Sequence, residues 1–350
     1  MRGPTSPARD PRGPPLARTA LRLPRLDPFL TGLVLAVVVA SIAPDLGRSG
    51  GALRLDAFAD VGVFAVFLLH GLGLPTGALR HGASRWRLHL LVQLSTYALF
   101  PLWWVLWAAL LADHLPPDLS RGFLFLAALP STVSSSVALT ALARGNVAAA
   151  ILNASLSSLL GIVLTPLLVS LAMPATAGAL DAAGAIAEVA RLLLLPFALG
   201  QLLRPLLAAR LAPHKHLTSR IDRGVILMLV ALAFSDAVAG GLWQRHGPLL
   251  LLEALAGAAL FLFPALWATR ALARAFGLPV EDEIALVFCG SKKTLASGVP
   301  MAQALFGASA ATGVLVLPIM VYHQLQLFVG TLLARRYAAR PAAPTEPPTE

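Results

Sequence analysis

The chain has 350 residues, of which 57% are hydrophobic and 13% charged, with a formal net charge of +10 and a mean hydropathy of +0.76. A soluble domain carries roughly 25% charged residues, so a soluble enzyme of one or two domains is excluded and the chain reads as a polytopic membrane protein. The positive charge lies mainly on loop and terminal arginines, which suits orientation beside anionic lipid and argues against a nucleic-acid partner.

Residues 1–27 are rich in Arg, Pro and Gly and are expected to be a disordered basic leader. The apolar run from Pro28 leads into span after span, so it reads as a retained helix rather than a cleaved signal. Ten segments have the roughly 20 mostly apolar residues that a spanning helix needs. They centre in 28–45, 55–74, 88–112, 121–143, 147–171, 183–208, 222–242, 248–273, 283–306 and 309–334. The transmembrane region is thus 28–335, and residues 336–350 form a second disordered tail. The lone cysteine, Cys289, excludes an intrachain disulfide.

Several spans carry polar residues. Span 3 has Gln93 and Thr96 one turn apart. Span 4 reads ALPSTVSSSVALTALARGN over Ala128–Asn146, with Pro130, Ser131, Thr132 and the triplet Ser134, Ser135, Ser136 at its centre. Span 5 presents Asn153 and Ser157, four residues apart, on one face. Each of these pairs reads either as site lining or as interhelical hydrogen bonding. Asp236 in span 7 is the candidate counter-ion for a lysine. Asp60, His70, Glu253 and the span 10 cluster His323, Gln324, Gln326 read as structural pairs or interface positions.

Span 9 contains FCGSKKTLASGVP, in which Gly290, Ser291, Lys292, Lys293, Thr294, Gly298 and Pro300 interrupt an apolar run. The chain has only three lysines, and two of them sit here, far from either end of the span. Snorkelling does not account for that position, and an intramembrane charge is a functional feature by default. Small hydroxylated residues also line helix–helix contacts. Packing alone does not explain why the fourth span of each half is interrupted.

Arginine and lysine counts orient the spans. Twenty lie on the side of the termini and five on the opposite side, with Lys292 and Lys293 apart from both sets. Both termini are therefore expected in the cytoplasm. Five spans in 28–171 and five in 183–335 make an inverted repeat, the plan of many secondary transporters. Spans 4 and 9, broken at matching places, are expected to cross there. Unwound backbone at membrane depth must be buried in protein or line a cavity, and half-helix N-termini aimed inward favour an anion.

The stretches LPSTVSSSVALTALARGNVAAAILNASLSSLLGIVLTPLL (129–168) and LVFCGSKKTLASGVPMAQALF (286–306) resemble the bile acid:sodium symporter family, in its bacterial branch akin to sodium/bile acid cotransporter 7. The resemblance covers nearly the whole chain. It implies a panel of spans 1, 2, 6 and 7, a core of spans 3–5 and 8–10, and organic-anion substrates that are often coupled to sodium. The family's hydroxyl–amide pair at the span 4 break corresponds to Ser136 and Val137. Its span 5 hydroxyls correspond to Ala150 and Ala154, with Asn153 and Ser157 nearby, and its span 3 glutamine falls near Thr96. Its span 9 glutamate corresponds to Phe288 and its glutamine to Lys292. The carboxylate that binds sodium in the family is absent, and a cation stands beside its place.

These readings combine into a ten-helix, inverted-repeat secondary transporter of a small organic anion in the bacterial inner membrane. The site is expected at the crossing of spans 4 and 9, formed by Gln93, Thr96, Ser134, Ser135, Ser136, Asn153, Ser157, Gly290, Ser291, Lys292, Lys293 and Thr294. A lysine there either replaces a sodium ion as a tethered cation or binds the anion. No cofactor is expected beyond sodium or a proton as coupling ion. The alternatives are a sodium symporter with a neutral site of Ser135, Ser136 and Asn153, and a non-transporting regulator of calcium homeostasis. A hydrolase with a Ser291–Lys292 or Ser291–Lys293 dyad is the rival of a different class. A phosphate-binding loop is excluded, because Val287 and Lys292 stand where its glycines belong.

Overall fold

The computed structural model describes residues 28–73, 85–111, 114–172, 184, 187, 190–307 and 310–340. The leader, residues 1–27, and the last ten residues of the expected tail lie outside them. Every regular element among the described residues is a helix, and no strand occurs there.

The first half comprises α1 (Pro28–Ile42), the short α2 (Pro44–Gly47), α3 (Leu55–Gly73), α4 (Trp86–Leu94), α5 (Phe100–Leu111), α6 (Pro117–Ala128), α7 (Ser134–Leu142) and α8 (Val147–Ala172). A π turn at Ser95–Leu99 joins α4 to α5 as one continuous rod. In the second half follow α9 (Leu195–Leu211), α10 (Lys215–Ala239), the short α11 (Leu242–His246), α12 (Leu249–Ala275), α13 (Val280–Gly290), α14 (Leu295–Phe306) and α15 (Ala310–Ala338).

Six helical runs are long and apolar enough to cross a membrane: Leu55–Gly73, Trp86–Leu111, Val147–Ala172, Ala190–Arg210, Leu249–Ala275 and Ala311–Ala338. The difference from ten expected spans has local causes. α1 has 15 described residues. α10 is long, but Asp222, Arg223 and Asp236 lie along it. The two remaining segments each consist of two short helices separated by non-helical chain, Leu129–Val133 in one and Ser291–Thr294 in the other.

A long rod, two short helices and a second long helix occur in that order twice, as α4–α5, α6, α7, α8 and as α12, α13, α14, α15. Both α6 and α13 start just after a proline and carry acid in the first turn, Asp118 in one and Glu281, Asp282 and Glu283 in the other. Carboxylates there complement the helix dipole. The acids of α13 are held by arginines from neighbouring elements: Arg85 on Asp282, Arg270 on Glu283 and Arg340 on Glu281.

α3 packs on α9 and α10, and α1 packs on α10. Gly71 and Gly200 let the backbones of α3 and α9 meet, because a Cβ on Gly200 would lie 2.9 Å from the Leu72 nitrogen. Such small-residue contacts are a common means of bringing membrane helices together. α15 runs beside α6, α7, α10, α12 and α14, so its surface touches both interrupted segments.

The expected tail begins too early at 336. α15 continues to Ala338, and the Arg340 guanidinium donates to the carbonyl oxygens of Ala143 and Arg144, both at 2.6 Å. Those two carbonyls lie at the C-terminal end of α7, where no further helical turn supplies amide donors.

Candidate functional site

A helix that stops inside a protein leaves its last carbonyls without amide partners, so a buried break requires a donor for each. At the end of α6 five carbonyls have such donors. The Leu126 oxygen accepts from the Leu129 amide, Ala128 from the Thr165 hydroxyl at 2.9 Å, and Pro130 from the Thr294 amide at 3.0 Å. The Ala127 and Leu129 oxygens, both at 2.7 Å, accept from the Lys293 ammonium. The third donor of that ammonium goes to the Thr96 carbonyl at 2.8 Å, within the π turn of the α4–α5 rod. A π turn breaks the regular helical ladder and commonly marks functional sites.

The end of α13 is met from the other side. The Ser291 hydroxyl donates to Val287 at 2.6 Å, the Ser136 hydroxyl to Phe288 at 2.9 Å, and the Ser131 hydroxyl to Cys289 at 2.6 Å. Tyr322 on α15 donates to the Ser291 carbonyl at 2.6 Å. Gln326, one turn further on, takes both backbone groups of Lys293, accepting at 2.9 Å and donating at 2.8 Å. The two breaks therefore lie against each other and satisfy each other's free backbone groups. Thr294 caps α14 by accepting from the Ser297 amide.

The adjacent lysines have opposite surroundings. Lys293 is fully buried, uses all three N–H donors on main-chain oxygens, and lies 4.2 Å from the Phe100 ring centroid. Lys292 is 1% exposed, and its amine has no hydrogen-bond partner among the described residues. The face of the Phe288 ring lies 5.7 Å from it. Among the described residues no carboxylate forms an ion pair with either lysine.

The remaining expected residues fall into two groups. Thr132, Ser135 and Ser136 form a hydroxyl cluster, with Thr132 2.7 Å from Ser135 and 3.0 Å from Ser136. Gln93 donates to the Asn153 carbonyl at 3.1 Å, and Tyr97 donates to the Ser157 carbonyl. Two i,i+4 pairs thus meet in register between the α4–α5 rod and α8, and Ser157 also accepts from the Ser131 amide at 2.9 Å. Ser134 is exposed at the first turn of α7. Gly290 abuts Ser95, where a Cβ would lie at 3.0 Å.

Three expectations need correction. Asp236 is not the counter-ion of a lysine: its carboxylate accepts from the Ser49 amide and hydroxyl, both at 2.8 Å. Gln93 shares its working face with Tyr97 rather than Thr96, which acts through its carbonyl. Asn153 joins Gln93 instead of the Ser135–Ser136 cluster, so the proposed neutral sodium set is divided between two groups. The hydrolase reading also lacks a dyad in this structure: Ser291 donates to Val287, Lys293 is bonded to Thr96, Ala127 and Leu129, and Lys292 makes no hydrogen bond to Ser291. Tyr322 is not among the expected residues, and Gln326 figures there only as a structural pair or interface position. The signal that could have found both is their spacing of four in span 10, which places them on one helical face.

Helices that stop and restart deep inside an apolar bundle, with their free ends bonded to one another around a buried cation, define a membrane protein built on secondary-transporter lines. Residues 27–339 match the SBF-like CPA transporter family, and the chain belongs to that family. It is 45% identical to "Uncharacterized protein PA2026" of Pseudomonas aeruginosa over 90% of this chain and 93% of that one. It is 41% identical to "Putative symporter YfeH" of Escherichia coli, over 89% and 93%. Sodium/bile acid cotransporter 7 of Danio rerio is 30% identical over 88% and 93%.

Proposed function

We propose that this protein is a secondary active transporter of a small organic anion, with ten spans arranged as two inverted five-helix repeats in a bacterial inner membrane. Spans 1, 2, 6 and 7 form the panel, spans 3–5 and 8–10 form the core, and both termini face the cytoplasm. Mutual packing of α1, α3, α9 and α10 supports the panel. The repeated order of long and interrupted helices supports the repeat. A reporter fused after Glu350 or inserted at His216 is expected to be cytoplasmic, and one inserted at Gly50 periplasmic. A periplasmic C-terminus would remove the inverted repeat.

The observation that carries the transport mechanism is the seat of Lys293. Three carbonyls around one ammonium are the ligand set by which a protein would hold a small hard cation. Here the cation is covalently attached to span 9, so the three carbonyls are satisfied without an ion from solution. The test is flux: proteoliposomes containing the protein should accumulate a labelled organic anion, with taurocholate as first probe, and empty liposomes should not. Absence of flux across a panel of organic acids, with folded protein in the bilayer, would sink the transport reading.

A second reading, sodium symport, is favoured by the hydroxyl cluster of Thr132, Ser135 and Ser136. The name of the Danio rerio relative points the same way. In that case neutral oxygens would hold the ion beside the lysine.

A further inference from the structure

We infer that Lys292 is the anchor for an external anionic ligand, a carboxylate on a mostly apolar body, whereas Lys293 is structural; this rests on the transport reading and assigns the two lysines different work. Both ammonium groups are buried, and they are adjacent in the chain. One has a partner for each donor and the other has no hydrogen-bond partner among the described residues. A buried charge without a partner is expensive, and proteins normally pair it.

The described carboxylates near the ends of α13 are already engaged. Glu283 accepts from Tyr337 at 2.5 Å and pairs with Arg270, Asp282 binds Arg85 and Asn146, and Glu281 binds Arg340. Asp236, the remaining sequence candidate, is held by Ser49. Among the described residues no carboxylate pairs with Lys292, which leaves its counter-charge to a ligand.

The surroundings specify what kind of ligand. Phe288 covers one side of the ammonium with a ring face. Gly330 of α15 faces the lysine stem, where a Cβ would lie 3.9 Å from the Lys292 Cε and 2.7 Å from the Leu139 side chain. A larger residue at 330 would press first on Leu139. Phe288, Leu139, Ile284 and Tyr337 belong to one buried apolar cluster. A single cation set among apolar side chains selects one negative group attached to an apolar body rather than a polyanion. At 1% exposure the amine is closed off in this conformation, and its named neighbours lie on α7, α13 and α15, so the ligand would reach it when those helices separate.

The test uses the purified full chain in detergent, benzoate as probe and two neutral variants, Lys292→Met and Lys292→Gln. Without benzoate, both variants should melt no lower than the unmodified protein, because an unpaired buried charge has been removed. Millimolar benzoate should raise the melting temperature of the unmodified protein and leave both variants unmoved. Melting of both variants well below the unmodified protein would make Lys292 a structural cation and overturn the inference. So would equal stabilisation of all three proteins by benzoate, or stabilisation of none. Anion flux that survives Lys292→Met would keep the transporter and remove the anchor. A benzoate shift that needs Lys292, in a protein that moves no solute, would keep the site and remove transport.

Discussion

Lys293→Met is expected to destabilise the folded protein by about 3 kcal/mol or more, taking roughly 1 kcal/mol as the least cost of each orphaned buried carbonyl. Methionine fills the space of the lysine stem and donates nothing. The oxygens of Thr96, Ala127 and Leu129 then lose their donor together. None can recruit a neighbouring amide, because two lie at the end of α6 and one lies in the π turn. Unfolded segments in a bilayer also find partners, which lowers the cost of a lost interhelical bond. These bonds are charge-assisted and buried, which places them at the stronger end of the range. Against a typical total of about 5–15 kcal/mol, such a loss should appear as poor yield of monodisperse protein and a melting temperature lowered by many degrees. Thermal unfolding in detergent measures it. A variant that melts with the unmodified protein would show that the carbonyl seat does not hold the crossing together.

The contrast with the neighbouring lysine explains what was legible in the sequence. Hydropathy marked the six helical runs that are long and apolar enough to cross a membrane, since about 20 apolar residues leave few alternatives. The positions of the interruptions were also legible. Pro130 with its hydroxyl run, and Gly290 with Ser291 and the lysines, combine weak helix formers with side chains able to serve freed backbone groups. Proline alone would have misled, because Pro166, Pro205, Pro264, Pro300 and Pro318 all lie inside helices. A break needs donors and acceptors from elsewhere, and those come from residues far away in the chain. Thr165 and Tyr322 each close one carbonyl, and Gln326 takes both backbone groups of Lys293.

The division between the lysines was not legible. Both have the same chemistry, and their directions depend on the non-helical chain at Ser291–Thr294, where no helical period applies. The π turn at Ser95–Leu99 contributes the third carbonyl around Lys293, and its one sequence signal is Pro101, which has no N–H to give to the turn before it. Asp236 was assigned to the wrong partner for a related reason. Its actual partner, Ser49, lies in a loop 187 residues away, and charge complementarity alone pointed to a lysine.

Sodium is expected to leave the stability of the unmodified protein unchanged and to stabilise Lys293→Ala. A sodium ion at about 4 Å from a lysine ammonium, at an effective dielectric of about 20, meets a repulsion of roughly 4 kcal/mol. That is close to a thousandfold in affinity, and about 2 kcal/mol remains at about 8 Å. A ligand that binds only the folded state stabilises it by RT ln(1 + [L]/Kd), about 2.7 kcal/mol at 100 times Kd. A thousandfold loss of affinity takes that ratio to about 0.1 and the stabilisation to under about 0.1 kcal/mol. The hydroxyls of Thr132, Ser135 and Ser136 are thus too weak a set to hold sodium beside a fixed positive charge. Removing the amine reverses the balance, because Lys293→Ala leaves three carbonyls around a vacated cation position. Melting temperatures compared in sodium chloride and choline chloride at equal ionic strength decide the matter. A saturable rise in sodium for the unmodified protein would establish sodium binding despite the lysine and favour ordinary symport. A rise confined to Lys293→Ala would identify the Lys293 ammonium as the built-in substitute for the ion.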